Sequence, residues 1–224
     1  MIGGTGPEST VSYYRAVIEG VQEIAGEQTL PPLIIESLSV FRVLDFCARN
    51  DLDGLTDYLA AAIDGLARAG ADVASLTALT PHIVFDRLVA RSPIPLISAI
   101  DATRDEALAR GARCLVLLGT APTMTHDFFA RPLREAGLTV VVPDPEEIDY
   151  IQDKIVTELE HGVVLDATRT GFTRIVSRLH ERHGADHVVL GCTELPLLLD
   201  DRVSPLPCLD PVAAHTRRLV AAIV

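Results

Sequence analysis

Lysine is almost missing from these 224 residues: among 19 basic side chains only Lys154 is not arginine. A pyridoxal phosphate enzyme needs a lysine for its Schiff base. Lys154 lies inside a helical pattern, Asp149 to Leu159, away from any strand end, so that chemistry has no good candidate. No run reaches the roughly 18 uncharged apolar residues of a membrane span, and Met1-Ile2-Gly3-Gly4 has neither the basic nor the apolar region of a secretory signal. No membrane association and a cytoplasmic location are therefore expected. The four cysteines, Cys47, Cys114, Cys192 and Cys208, form no CxxC and no zinc spacing with histidine. They read as thiols in a reducing compartment, with no metal. Positive charge is short as well: a net charge of −12 and a pI near 4.9 repel polyanions and argue against a nucleic-acid partner.

What is present is an alternation of short apolar runs and helical patterns. Val188-Val-Leu-Gly-Cys192-Thr193-Glu194-Leu195-Pro196 is a strand that ends in glycine and a cysteine where a helix is expected to begin. A helix N-terminus there would favour thiolate over thiol, and the carboxyl ends of strands are where active sites of open α/β sheets lie. The plain alternative is a small buried cysteine. Near the N-terminus, Gly3-Gly4-Thr5-Gly6-Pro7-Glu8-Ser9-Thr10 is a glycine-rich turn before a helix over 11–18. It matches neither the phosphate loop nor GxGxxG, and is either a ligand-binding turn or an ordinary strand-to-helix turn. Only Met1 and Ile2 remain to build the strand before it, so a natural start several residues upstream is expected.

Strands are expected over 32–39, 72–77, 94–97, 114–118, 138–142 and 187–190. Helices are expected over 55–69, from Thr80-Pro81, from the turn after Gly119 to Ala136, around 146–160, over 166–182 and over 210–224. The stretch around Phe41 to Phe46 reads as an irregular connection. Strands alternating with helices of this length imply parallel βαβ units. The two halves also match each other. Gly4-Thr5-Gly6-Pro7 and Gly119-Thr120-Ala121-Pro122 lie 119 − 4 = 115 apart, and the turns at Ala78 and Cys192 lie 192 − 78 = 114 apart. Such a repeat points to two similar lobes related by a pseudo-two-fold axis. The expected fold is α/β, two pseudo-symmetric three-layer lobes with parallel sheets and an active site in the inter-lobe cleft. The lobes take residues 1–98 plus 209–224, and 99–208, so that the last helix returns to the first lobe.

Five short motifs in this order resemble the cofactor-independent aspartate/glutamate racemases: Gly3-Gly4-Thr5-Gly6-Pro7-Glu8-Ser9-Thr10, Thr80-x-His82, Leu118-Gly119-Thr120-x-x-Thr123-Met124, Glu158-Leu159-x-x-Gly162 and Gly191-Cys192-Thr193-Glu194. The resemblance implies a homodimer without cofactor, acting at the carbon α to the carboxylate of a small acid. In that family one cysteine removes the α-proton and a cysteine on the other lobe delivers a proton to the opposite face. The second cysteine matches Cys192. The first is absent: where the family pattern is Cys-Asn-Thr-x-His, this sequence has Ala78-Leu79-Thr80-Pro81-His82.

The resemblance also implies substrate contacts from Thr5, Arg42, Thr80, His82, Thr120, Thr123, His161, Thr193 and Glu194. His161 stands where members often have a lysine. Each has a plainer reading. Thr80, Thr120, Thr123 and Thr193 sit at expected helix starts, where threonine first of all caps a helix, and Glu194 could simply complement a helix dipole. Arg42 could be an ordinary solvated arginine. Cys47, Cys114 and Cys208 read as structural. With Ala78 unable to carry a proton, three readings stay open: an isomerase using Cys192 as acid/base, a one-face decarboxylase or isomerase of the kind seen in the one-cysteine arylmalonate decarboxylases, and a non-catalytic carboxylate-binding protein.

Overall fold

The computed structural model describes all 224 residues, and the chain divides into two compact units. Unit one comprises Met1–Ala99 and His215–Val224, and unit two comprises Ile100–Ala214.

Unit two is built on a four-stranded parallel sheet, β5 (Cys114–Gly119), β6 (Thr139–Val141), β7 (His187–Gly191) and β8 (Cys208–Leu209), in the order β6-β5-β7-β8. Its central strands read as unbroken apolar runs because both faces are covered. Val116, Leu118, Val188 and Leu190 meet Ile151 and Ile155 of α8 (Pro145–Thr157) and Phe172 and Val176 of α9 (Asp166–His183), while Leu115, Leu117 and Val189, on the other face, are equally buried. The expected single helix after Gly119 is instead two, α6 (Ala121–Thr125) and α7 (Asp127–Glu135), parted at His126, whose backbone is extended. α8 begins with a capping box between Asp144 and Glu147. α5 (Ala99–Ala109), which carries no strong apolar stripe, and the two-residue β8 have no counterpart among the expected elements.

Unit one has the same plan in shorter strands. β1 (Ile2–Gly3) pairs with β2 (Glu36–Ser37), β3 (Ala74–Ser75) pairs with β4 (Leu96–Ile97), and a bridge from Ile2 to Leu76 joins the pairs into the order β2-β1-β3-β4, all parallel. α1 (Pro7–Ala25) follows the glycine-rich turn. The stretch expected to be irregular is helical, α2 (Val40–Ala48); its apolar residues Val40, Val43, Leu44 and Cys47 recur at helical spacing, although only Val43 is buried. α3 (Leu52–Arg68) is capped by Asp51, which accepts from the Gly54 N–H at 2.9 Å. It lays Leu55, Leu59, Ile63 and Leu66, one per turn, on Ile2, Ala74 and Leu76. Burying each such side chain contributes roughly 1.5–3 kcal/mol. Thr80–Val84 forms a 3₁₀ turn that runs into α4 (Phe85–Arg91). α10 (Pro211–Ile223) starts under Asp210, whose Oδ1 accepts from the N–H groups of Val212 and Ala213 at 2.8 and 3.3 Å, and ends within unit one. No helix is long and apolar enough to cross a membrane.

The ladders refine the internal repeat. Ile2 stands level with Leu76, two residues before Ala78, and Leu118 stands level with Leu190, two residues before Cys192. The offsets are therefore 118 − 2 = 116 for the first strand and 190 − 76 = 114 for the second. The expected 115 for the first turn is one short because the Gly3–Pro7 turn holds an extra residue, Gly4. Its φ of +73° and the Leu38 carbonyl only 2.2 Å from a would-be Cβ admit glycine alone.

Candidate active site

The turns at the carboxyl ends of the strands carry the candidate residues, and each unit contributes its own set. In unit one, α1 is stitched to the end of β3. The Ser9 hydroxyl donates to the Thr77 carbonyl at 2.5 Å, and Thr10 Oγ1 lies 3.1 Å from Thr77 Oγ1 while accepting from the Gly4 N–H at 2.9 Å. Thr77 is fully buried, and its hydroxyl is spent on Thr10 and the Ile2 carbonyl. Thr5 is buried and its Oγ1 has no hydrogen-bond partner. A buried hydroxyl without a partner costs about 1–3 kcal/mol, which makes Thr5 the unit's candidate for a ligand contact.

His82 is held by the backbone of its own unit. Its Nδ1 lies 3.0 Å from the Ala78 carbonyl and 3.2 Å from that of Leu79, so Nδ1 carries the proton, and Nε2 accepts from the Ala99 N–H at 3.2 Å. The ring is buried and stacked on Phe85 at 5.0 Å. Burial lowers its pKa to about 4, so at neutral pH it offers no positive charge to a carboxylate. Beside it, His215 Nε2 donates to the Ile97 carbonyl at 3.0 Å and Nδ1 accepts from the Tyr13 hydroxyl at 2.9 Å; burial and the neighbouring His82 lower its pKa to about 3. Both His82 ring nitrogens are thus engaged by backbone, Nδ1 by the carbonyls of Ala78 and Leu79 and Nε2 by the N–H of Ala99. Thr80 opens the 3₁₀ turn and makes no capping bond. Arg42 is exposed on α2 with its guanidinium 4.3 Å from the ring centre of Tyr58.

In unit two, β5 and β7 end in glycines that touch. A Cβ on Gly119 would lie 2.6 Å from the Gly191 carbonyl, and one on Gly191 would lie 2.5 Å from that of Leu118. This approach sets the two following turns side by side. Thr120 Oγ1 and Thr123 Oγ1 are 3.1 Å apart, and the Ala121 N–H donates to Gln152 Oε1 at 2.6 Å. Thr123 lies within α6 rather than at its start. Cys192 Sγ donates to Glu194 Oε2 at 2.8 Å, and Thr193 Oγ1 donates to Oε1 at 2.7 Å.

The expected thiolate is not found. No α-helix begins at Cys192; only the 3₁₀ turn Leu195–Leu197 follows, and it supplies no macrodipole. Burial, then the Glu194 carboxylate, push the thiol well above its ordinary value, outweighing a backbone bond from Glu194 that favours the anion. Glu160, itself raised by burial and by Glu194, adds in the same sense. His161 is exposed, next to Gly162, whose φ is +71°. Glu158 is held below the usual carboxylate range by Lys154, 2.8 Å away, and by the Thr168 hydroxyl. The lone lysine is therefore paired. All four cysteines are free, and burial raises Cys47, Cys114 and Cys208 as well.

Some contributors had no signal in the sequence. Tyr13 and His215 meet across 202 positions, and Glu160 lies far from Cys192 along the chain. Ser9 and Thr10 could have been found, because they belong to the glycine-rich motif.

The Asp/Glu/hydantoin racemase family model matches residues 2–219. The chain belongs to that family. The broad-specificity amino-acid racemase RacX of Bacillus subtilis (strain 168) is 23% identical over 227 residues, covering 99% of this chain and 96% of RacX. Among solved structures, an aspartate racemase homologue from Pyrococcus horikoshii OT3 is 38% identical with a TM-score of 0.89, covering 99% of this chain and 96% of that one. Aspartate racemase from Picrophilus torridus shares the fold at 19% identity, with a TM-score of 0.76 and coverage of 99% and 92%. Family membership supports a racemase-type activity on amino acids.

Proposed function

We propose that the protein is a racemase-family isomerase that moves the α-proton of a small amino acid, of the aspartate or glutamate kind, with Cys192 as its acid/base. The observation that carries this reading is the Sγ to Oε2 contact of 2.8 Å between Cys192 and Glu194. A buried thiol cannot abstract a proton until it has lost its own, and Glu194 is the group placed to take it. The S–H proton passes to the Glu194 carboxylate. The thiolate then removes the α-proton, and the electron pair is left on the α-carbon, delocalised into the substrate carboxylate. Return of the proton from sulfur regenerates the starting hand, and a proton from water on the other face gives the opposite hand.

Thr5, with its unpartnered hydroxyl, and Arg42, Thr80, Thr120, Thr123, His161 and Thr193 are proposed to hold substrate. His82 is proposed to position the Ala78 turn. The chemistry assigned here needs no cofactor, and a cytoplasmic homodimer is the form proposed. A second reading is favoured by one observation: at the turn matching Cys192 stands Ala78, whose neighbours Thr77 and His82 already have their polar atoms engaged. That arrangement favours proton delivery from one face only, as in a decarboxylation that ends with the Cys192 thiol protonating a carbanion.

The test is incubation in deuterium oxide with each hand of aspartate and glutamate, reading α-deuterium by mass and configuration by chiral chromatography. Deuterium entering with inversion supports racemisation. Exchange with retention moves the one-face reading ahead, and binding without exchange of any carboxylate overturns both.

A further inference from the structure

The turn that carries Glu160 and His161 is built on Glu158. The Glu158 carbonyl accepts from the N–H groups of His161 and Val163 at 3.0 and 2.9 Å, and Gly162, at a φ of +71°, closes the 3₁₀ turn Leu159–His161. The Glu158 carboxylate is largely covered and is held from two helices. Lys154 of α8 lies 2.8 Å from Oε1, and the buried Thr168 hydroxyl of α9 donates to Oε2 at 2.5 Å.

The turn that carries Cys192 and Glu194 reaches the same end of α9 by another route. The Cys192 carbonyl accepts from the Leu195 N–H at 3.2 Å, the Leu195 carbonyl from the Leu198 N–H at 2.9 Å, and the Leu198 carbonyl from Arg169 Nε at 3.1 Å. The last carbonyls of a helical turn have no partner within it, and Arg169 supplies one. Its guanidinium is steadied by Asp166, 2.5 Å from Nη1. Adjacent residues in the first turn of α9 therefore grip the two turns whose charges meet, since the Glu160 carboxylate acts on both Glu194 and Cys192. Leu159, Leu195 and Leu198 also pack into one core with Phe172 of the same helix.

We propose that Thr168 and Arg169 are positioning residues for the Cys192–Glu194 pair, each tying one of the two turns to α9 so that the Glu160 carboxylate keeps a fixed place beside that pair. The proposal rests on the reading of Cys192 as the acid/base. Thr168 acts through Glu158, and Arg169 through Leu198. A misplacement of about 1 Å at a reacting group costs on the order of 10²-fold in rate, so ties this far from the thiol still reach the chemistry.

The test uses Thr168→Val, which keeps the side-chain shape and leaves Glu158 paired with Lys154, and Arg169→Met, which keeps much of the stem. Thr168→Ser retains the donor, and Asp210→Ala is a variant weakened away from both turns. Two quantities are read: the pH profile of Cys192 alkylation by iodoacetamide, followed by peptide mass, and deuterium exchange at the α-carbon of aspartate. In Thr168→Val and Arg169→Met the alkylation profile is expected to move down by about half a pH unit or more, roughly a threefold faster reaction at a fixed pH below the midpoint. Exchange is expected to fall about tenfold or more. Thr168→Ser and Asp210→Ala are expected to match the wild type in both. Glu160→Gln alone should lower the profile, and adding Thr168→Val to it should lower it no further, because both changes act on one carboxylate. Folded Thr168→Val and Arg169→Met with the wild-type profile overturn the proposal, as does an equal shift in Asp210→Ala or a fully additive shift in the double variant. Failure of the Cys192 reading shows separately, as a wild type that exchanges no α-proton; there the alkylation profiles alone decide the positioning role.

Discussion

Replacing His82 by phenylalanine separates an organising role from a titrating one. The ring keeps its volume and its stacking on Phe85, but both nitrogens are lost. The Ala99 N–H then has no acceptor, a cost of about 1–3 kcal/mol for a buried donor, and the bond to the Ala78 carbonyl, worth about 0.5–1.5 kcal/mol net, disappears. Together His82→Phe is expected to cost about 2–4 kcal/mol at pH 7.5, a fall of roughly 4–16 °C in thermal midpoint for a chain of this size.

The pH dependence gives a second handle on the same variant. In the native protein the His82 pKa lies at about 4, below its ordinary 6.5, so the unfolded chain binds the extra proton. The stability attached to the neutral ring is fully present above pH 6.5 and is lost as the pH falls towards 4. The phenylalanine variant lacks that term, so the gap between wild type and variant should narrow over the same window. His215, at about 3, acts with the same sign in both proteins. Urea unfolding at pH 7.5, 6.0 and 4.5 reads the effect. A gap under about 0.5 kcal/mol at pH 7.5, or one that does not narrow on acidification, would refute the imidazole's role as a neutral clamp.

Gly191→Ala places a Cβ 2.5 Å from the Leu118 carbonyl, and is expected to cost more than the roughly 1–3 kcal/mol of ordinary overpacking and to impair activity, read by thermal melting and turnover. Asp210→Ala removes the cap of α10 and should cost about 1 kcal/mol with little change in kcat. Glu194→Gln should lower the Cys192 pKa, because the second-largest cause of its elevation goes, and yet slow α-proton exchange because the thiol loses its proton acceptor; iodoacetamide reactivity against pH, beside the exchange rate, checks both. Ala78→Cys with Leu79→Asn should gain or increase inversion of aspartate or glutamate by chiral chromatography, and no exchange above background in a folded, ligand-binding variant would count against a disabled two-base site.

How much of this was legible before the structure depends on how each feature is encoded. The parallel α/β plan was, because β5 and β7 are buried on both faces and carry unbroken apolar runs, while α3 shows one apolar residue per turn. α2 was legible too, because Val40, Val43, Leu44 and Cys47 recur at helical spacing, and an irregular reading of that stretch overlooks the pattern. The glycines closing β5 and β7 could be seen as turn residues, but the backbone contact that requires them is made by chain segments 72 residues apart. The protonation of Cys192 is not legible in the sequence, for a physical reason. The sequence places a cysteine after a strand, but whether the next residues form an α-helix or a short 3₁₀ turn, and where the Glu194 carboxylate points, are decided by packing around Leu195 and Leu198.

The central claim is that Cys192 alone among the four cysteines moves the α-proton. Its most direct test is deuterium exchange at the α-carbon of aspartate and glutamate by the wild type and by Cys192→Ala, with Cys47→Ala, Cys114→Ala and Cys208→Ala alongside. Exchange is expected to vanish in Cys192→Ala and to persist in the other three; undiminished exchange by a folded Cys192→Ala would contradict the account.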